Sequence, residues 1–319
     1  MADRKLISVV TPCYNEVDNI QTCYEVVRDL FAGELPGYDH EHIFCDNAST
    51  DGTVEKLRQF AASDPNVKVI LNSRNFGPDR SLFNGIIATR GDAVLLFLPA
   101  DLQDPPELIP EFVKKWEEGH EVVQGVRKKR EEGLVMALIR RVYYRLVNRL
   151  AKIGLPENVG DFQLVDRKIV DALRHYDDYY PYLRGMVVDC GFESTAIDYT
   201  WKRREHGKSK ANWFSMMDIA LNAVISYSKV PMRLCMFSGF FISLASILYA
   251  MVSFVLVVLD KLFWHGSIAP SGTPTLIIAL FFFSGVQLFF LGILGEYVCA
   301  IHSQVRKGPL IIERERINF

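Results

Sequence analysis

The densest group of chemically useful residues is the segment LPADLQDPPELIP at residues 98–110. Its hard oxygen groups, Asp101 and Gln103 among them, suit a hard divalent cation such as Mg2+ or Mn2+. TPCYNEVDNI (residues 11–20) combines Pro12, the aromatic face of Tyr14 and the carboxylate of Glu16, which suit a heterocyclic base and a sugar diol. CDNASTDGT (45–53) carries Asp46, and NSRNFGPDRSLFNG (72–85) carries two cations, Arg74 and Arg80. Further along, GVRKKR holds Arg127 and Arg130, GDFQLVDRKIV holds Asp161, and WKRREHGKSK holds Arg204, Gly207, Ser209 and Lys210. Taken singly these are ordinary features: turn formers, solvated arginines, a helix N-cap at Asp161 before Phe162, a basic run at a membrane surface. The seven histidines show no HExxH or similar spacing, so zinc chemistry has no support.

What could gather these segments is a parallel sheet. Short β-branched runs alternate with helical patterns: strands over Leu6 to Val10, His42 to Cys45, Val67 to Leu71 and Ala93 to Leu98, helices over Ile20 to Phe31, Thr53 to Ala62, Arg80 to Ala88 and Glu107 to Glu118. That order predicts an α/β, Rossmann-like, mostly parallel sheet with helices on both faces. In such a sheet ligands bind beyond the carboxyl ends of the strands. Four of the polar segments above begin there.

The C-terminal third differs. Leu234 to Leu259 and Pro274 to Leu294 carry no charge, and each exceeds the roughly 20 residues a transmembrane helix needs. Lys229 and Arg233 before the first span and Arg306 and Lys307 after the second place both outer flanks in the cytoplasm. Two amphipathic interface helices are expected, one over about 134–153 with a basic face and one over 211–230 rich in Trp, Phe and Met. Gly285 and Gly292 suit close helix packing, which makes a homo-oligomer through the spans one expectation. The formal net charge of −2 gives no case for nucleic-acid binding, and six scattered cysteines without a CxxC pair fit a reduced cytoplasmic domain. The N-terminal apolar stretch is too short for a signal-peptide core.

Together the loops resemble family 2 inverting glycosyltransferases of GT-A fold, specifically those acting on polyisoprenyl phosphates. The resemblance implies that Pro12, Tyr14, Glu16 and Asp46 hold the nucleoside of a nucleotide sugar, UDP-linked sugars being favoured. It implies that Arg74, Arg80, Asp101 and Gln103 hold its diphosphate and sugar. Asp101 and Gln103 would bind Mg2+ or Mn2+, although Pro99 replaces the first acid of the family's D-x-D motif, and Asn47 stands where an Asp is common. Arg127 and Arg130 are the alternative carriers of phosphate charge. Asp161 matches the family's base or acceptor organiser, and Arg204, Gly207, Ser209 and Lys210 match its R-x-x-G-x-S-K element for lipid phosphate or diphosphate. The implied organisation is a GT-A domain over 1–210, a juxtamembrane helix over 211–230, a transmembrane hairpin over 231–299 and a cytoplasmic tail over 300–319. The implied product is a lipid-phosphate-linked sugar, made at the inner (plasma) membrane for envelope glycan modification or protein glycosylation. A processive polysaccharide synthase would carry Q-x-x-R-W and more spans. A nucleotide-sensing subunit of a membrane transporter is the reading from another class, and it would place ionisable residues inside the spans, where Gln287 and the terminal Glu296 are the main polar exceptions.

Overall fold

A computed structural model describes residues 4–129, 159–200, 230–263, 273–305 and 308–319. The chain divides into two compact units. The first is built on one eight-stranded sheet of order β7-β5-β6-β4-β1-β2-β3-β8. Its strands are β1 (Leu6–Cys13), β2 (Asp39–Asp46), β3 (Val67–Asn72), β4 (Ala93–Leu95), β5 (Val122–Lys129), β6 (Val159–Asp166), β7 (Ser194–Thr200) and β8 (Glu313–Ile317). The central strands β4, β1, β2 and β3 run parallel, as the alternating pattern predicts. β6 and β8 are antiparallel to their neighbours, and β5 pairs in parallel with β7.

Side chains alternate across the sheet with period 2 and meet helices on both faces. Ile7, Val9, Phe44 and Val69 pack with α1 (Ile20–Gly33), α2 (Thr53–Ser63) and α4 (Ile109–Glu117) through Val27, Leu57 and Phe112. On the other face Val10, Ile43 and Ile70 pack with α3 (Pro78–Ala88), α5 (Arg167–Leu173) and α6 (Leu183–Asp189) through Ile86, Val170 and Met186. At Gly85 of α3 an added Cβ would lie 2.3 Å from the Cys45 Sγ, so glycine is what lets this helix lie against β2.

Two expectations are corrected. Asp161 is not a helix N-cap: it lies inside β6, and the helix that follows is capped by Asp166, whose side chain accepts from the Lys168 N–H. Nor are the last residues a free tail. β8 pairs antiparallel with β3 and covers that edge of the sheet. The Asn84 amide donates to Glu313 at 2.6 Å, Arg58 pairs with Glu315, and the Asn318 amide donates to the carbonyls of Ala61 and Val67.

The second unit contains α7 (Val230–Phe263) and α8 (Thr273–Val305). Their apolar stretches, Cys235–Leu256 of 22 residues and Ala279–His302 of 24, are long and apolar enough to cross a membrane. Large side chains including Phe240, Phe254, Phe281 and Leu288 are exposed on them, as lipid-facing residues would be. The expected interface helices lie outside the described residues, apart from Val230, where α7 begins.

Candidate active site

The carboxyl ends of β1, β2, β3 and β4 lead into four loops along one edge of the sheet, and hydrogen bonds tie the first three together. Asn15, in the left-handed region at φ 55°, accepts from the Thr50 N–H at 2.9 Å, and the Ser49 Oγ accepts from the Asn15 N–H at 2.9 Å. The Glu16 N–H donates to the Thr53 Oγ1 at 3.0 Å. Pro12, Tyr14 and Glu16 are thereby held half-buried on a loop fixed to its neighbour. Asp46 is 1% exposed and accepts from both the N–H and the hydroxyl of Ser49. Burial raises its pKa above the ordinary carboxylate value, against those hydrogen bonds.

Asn47 carries the next connection. Its Nδ2 donates to the Gly77 carbonyl at 2.9 Å, while its Oδ1 accepts from the Asn72 Nδ2 at 3.0 Å and the Phe76 N–H at 3.1 Å. The position needs a donor and an acceptor at once, which an Asp carboxylate does not supply. Arg74 is exposed and stacks on Phe76 at 3.9 Å. Arg80 is placed otherwise than expected: it is 8% exposed, lies over the Tyr179 ring at 4.2 Å, and its Nη2 donates to the Leu310 carbonyl. Its guanidinium anchors the C-terminal segment.

Beyond β4 the chain continues through Leu96 and Leu98, whose N–H groups donate to the Gln163 and Val10 carbonyls, and then turns at Asp101–Leu102, with Leu102 at φ 50°. Asp101 and Gln103 are both half-buried on this turn. Among the described residues no group of three or more His, Cys, Asp and Glu side chains could hold a metal ion alone. One carboxylate and one amide oxygen nevertheless fit a cation that completes its shell with diphosphate and water.

Asp104, 1% exposed, closes the same turn. The Arg127 Nη2 reaches both of its oxygens at 2.9 Å, the Tyr199 hydroxyl donates to it, and the Arg127 Nε donates to the Tyr199 oxygen at 2.9 Å. Burial works against the Arg127 charge, but the Asp104 carboxylate outweighs it and the pKa is raised. Burial and the same carboxylate push the Tyr199 phenol up. Arg127, expected to carry phosphate charge, thus holds the Asp101–Asp104 turn through Asp104.

Because β6 runs antiparallel to β4, its last residues pair with β4 and its first residues extend past the carboxyl end of β4. Leu95 is opposite Leu164, and continuing that register brings Asp161 to the start of the Pro99–Gln103 loop. This strand direction delivers Asp161 to the edge where the other loops end. Its two oxygens accept from the Nε and Nη2 of Arg184, each at 2.9 Å. Asp79, in the first turn of α3, has its carboxyl pushed up to about 6 by lost hydration and by the Asp161 charge, against the pull of Arg184.

The fold therefore brings Pro12, Tyr14, Glu16, Asp46, Arg74, Asp101, Gln103 and Asp161 to one sheet edge and commits Arg80 and Arg127 to internal partners. Arg130, Arg204, Ser209 and Lys210 lie outside the described residues. Arg184, Asp79 and Tyr199 carried no spacing signal; they are found by their partners, which are remote in sequence.

Residues 8–174 match the model of glycosyl transferase family 2. The chain is 34% identical over 310 residues to the putative glycosyltransferase CsbB of Bacillus subtilis, covering 97% of this chain and 92% of that protein. It is 32% identical over 307 residues to the SfII prophage-derived bactoprenol glucosyl transferase of Shigella flexneri, covering 96% of each. The solved mannosyltransferase PcManGT of Pyrobaculum calidifontis, in complex with GDP-Man and Mn2+, aligns with TM-score 0.47 at 14% identity over 96% of this chain and 89% of that one.

Proposed function

Because the chain belongs to glycosyl transferase family 2, we propose that it moves a hexose or N-acetylhexosamine from a nucleotide sugar, UDP-linked sugars being favoured, onto a polyisoprenyl phosphate. The observation that carries the proposal is the arrival of Asp161, on an antiparallel strand, past the carboxyl end of β4, at the edge where the loops after β1, β2, β3 and β4 begin. The similarity to bactoprenol glucosyl transferases over nearly the whole chain supports the acceptor class, and the two apolar helices support a lipid acceptor met at a membrane.

In this reading Pro12, Tyr14, Glu16 and Asp46 hold the nucleoside, and Arg74 faces the diphosphate. Asp101 and Gln103 would hold Mg2+ or Mn2+, whose bound charge stabilises the departing nucleoside diphosphate. An acceptor phosphate oxygen bonds to the anomeric carbon as the carbon–diphosphate bond breaks, its electron pair leaving on the diphosphate, with inversion at that carbon. A phosphate monoester is already largely ionised near neutral pH, so no proton needs removing. Asp161 then acts as a fixed anion beside the carbon that develops positive charge, and positioning with electrostatics provides most of the acceleration. Arg130, Arg204, Ser209 and Lys210 are assigned to the arriving lipid phosphate on their chemistry.

The C-terminal strand supports the topology. Residues before α7 and the strand after α8 belong to one folded unit, so the chain between them crosses the membrane an even number of times. With cationic residues at the outer flanks, the catalytic unit and both termini lie in the cytoplasm.

The test is conversion of radiolabelled UDP-sugars by the purified full-length protein with undecaprenyl phosphate, with and without Mg2+ or Mn2+. A labelled lipid product that needs the cation and is lost in Asp101→Ala is expected. A folded protein that binds nucleotide but makes no lipid product from any UDP-sugar or GDP-mannose would overturn the reading in favour of nucleotide sensing.

A further inference from the structure

We propose that Arg184 is a positioning residue for the transfer: through its side-on ion pair it fixes Asp161 in the orientation the reacting carbon requires. The inference rests on the glycosyl-transfer reading of the site and names the residue that makes Asp161 effective.

The geometry is specific. The Nε and Nη2 of Arg184 each donate to a different oxygen of Asp161 at 2.9 Å, which fixes the plane of the carboxylate as well as its position. A lysine would supply the charge without that constraint. Arg184 is itself held from behind, because its helix is set into the core by Leu183, Met186 and Val187, none more than 6% exposed. Asp161 sits on β6 between Gly160 and Phe162, where Phe162 is fully buried and a Cβ at Gly160 would meet the Arg127 guanidinium at 3.4 Å. Both ends of the ion pair are therefore anchored by packing that does not depend on a ligand. The pair is neither deep nor fully solvated, with side chains 34% and 24% exposed, so it can face a bound substrate.

A third group supports a functional role. Asp79 is close enough for Asp161 to raise its pKa and for Arg184 to lower it. Two carboxylates and one guanidinium thus share this corner of the site. Without Arg184 the two anions would repel, and Asp161 would be free to turn toward water. Loss of orientation of this kind costs about 100-fold in rate.

The test is a double-mutant comparison in the full-length protein, with kcat and KM measured separately for nucleotide sugar and undecaprenyl phosphate. Arg184→Gln should lower kcat by about 100-fold while both KM values change by less than about 3-fold. Arg184→Lys should recover only part of the loss. In an Asp161→Asn background, Arg184→Gln should cost less than about 3-fold further, because there is no carboxylate left to orient. Nucleotide binding and thermal unfolding of each variant establish that it is folded. Equal losses with and without Asp161, or a raised KM for the lipid phosphate with kcat intact, would overturn the inference and make Arg184 a structural or phosphate-binding residue, while leaving the transfer reading in place. A wild-type protein that makes no lipid-linked sugar would overturn both.

Discussion

Replacing Arg127 by Met separates two roles for a cation beside the Asp101–Asp104 turn. The structure gives Arg127 an internal role: with its side chain 15% exposed, it is the ionic partner of Asp104, which is 1% exposed. Removing one partner of a buried ion pair typically costs about 3–5 kcal/mol, because the other charge is left without compensation. The Tyr199 hydroxyl still donates to Asp104 in the variant, so the low end, about 3 kcal/mol, is the appropriate figure. For a folded unit of this size that corresponds to a fall of about 6–12 °C in melting temperature. Arg127→Lys, which keeps the charge but not the reach to Tyr199, should lose roughly half as much. The assay is thermal unfolding of the full-length protein in detergent, alongside KM for donor and lipid acceptor. A variant that melts within about 1 °C of wild type while KM for either phosphate substrate rises would refute the reasoning, since the guanidinium would then be serving ligand phosphate instead of Asp104.

Two further outcomes follow from the same network. Asn47→Asp, which restores the acid common in the family, should destabilise the protein by about 1–3 kcal/mol, because it removes the donor to the Gly77 carbonyl and sets a carboxylate against it; an unchanged or raised unfolding midpoint in urea would contradict this. Asp79→Asn should raise the melting temperature slightly at pH 7.5, because the solvent exposure of Asp79 screens much of the effect, with the gap closing as pH falls through about 6. The sign follows from a folded pKa above the unfolded value near 3.9: the stability Asp79 contributes is present at low pH and lost as pH rises through about 6. A gap that stays constant from pH 7.5 to pH 5 would exclude Asp79 as its source.

How much of this was legible beforehand depended on whether the determining contact was local. The strand runs Leu6 to Val10, His42 to Cys45, Val67 to Leu71 and Ala93 to Leu98 announce themselves by composition and by the turn residues after them, so the polar segments opening at Thr11, Asp46, Ser73 and Pro99 could be placed at one sheet edge. Whether a given arginine faces a ligand could not. Arg74, Arg80 and Arg127 look alike in sequence, and what distinguishes them is the Leu310 carbonyl and the Asp104 carboxylate, brought in from other segments. The position of Asp161 depends on the direction of β6 within the sheet, which local composition does not encode. The C-terminal residues were opaque for a related reason. ERERI is so rich in charge that it reads as solvated tail, yet charge is also what an exposed edge strand carries to prevent pairing with other chains. Seen as β8, that segment changes the organisation of the whole chain. The two apolar helices are not appended after the catalytic unit but inserted into it, ahead of its last strand. Arg80 then has a second consequence: a residue on the helix that begins beside Asp79 also holds the chain returning from α8.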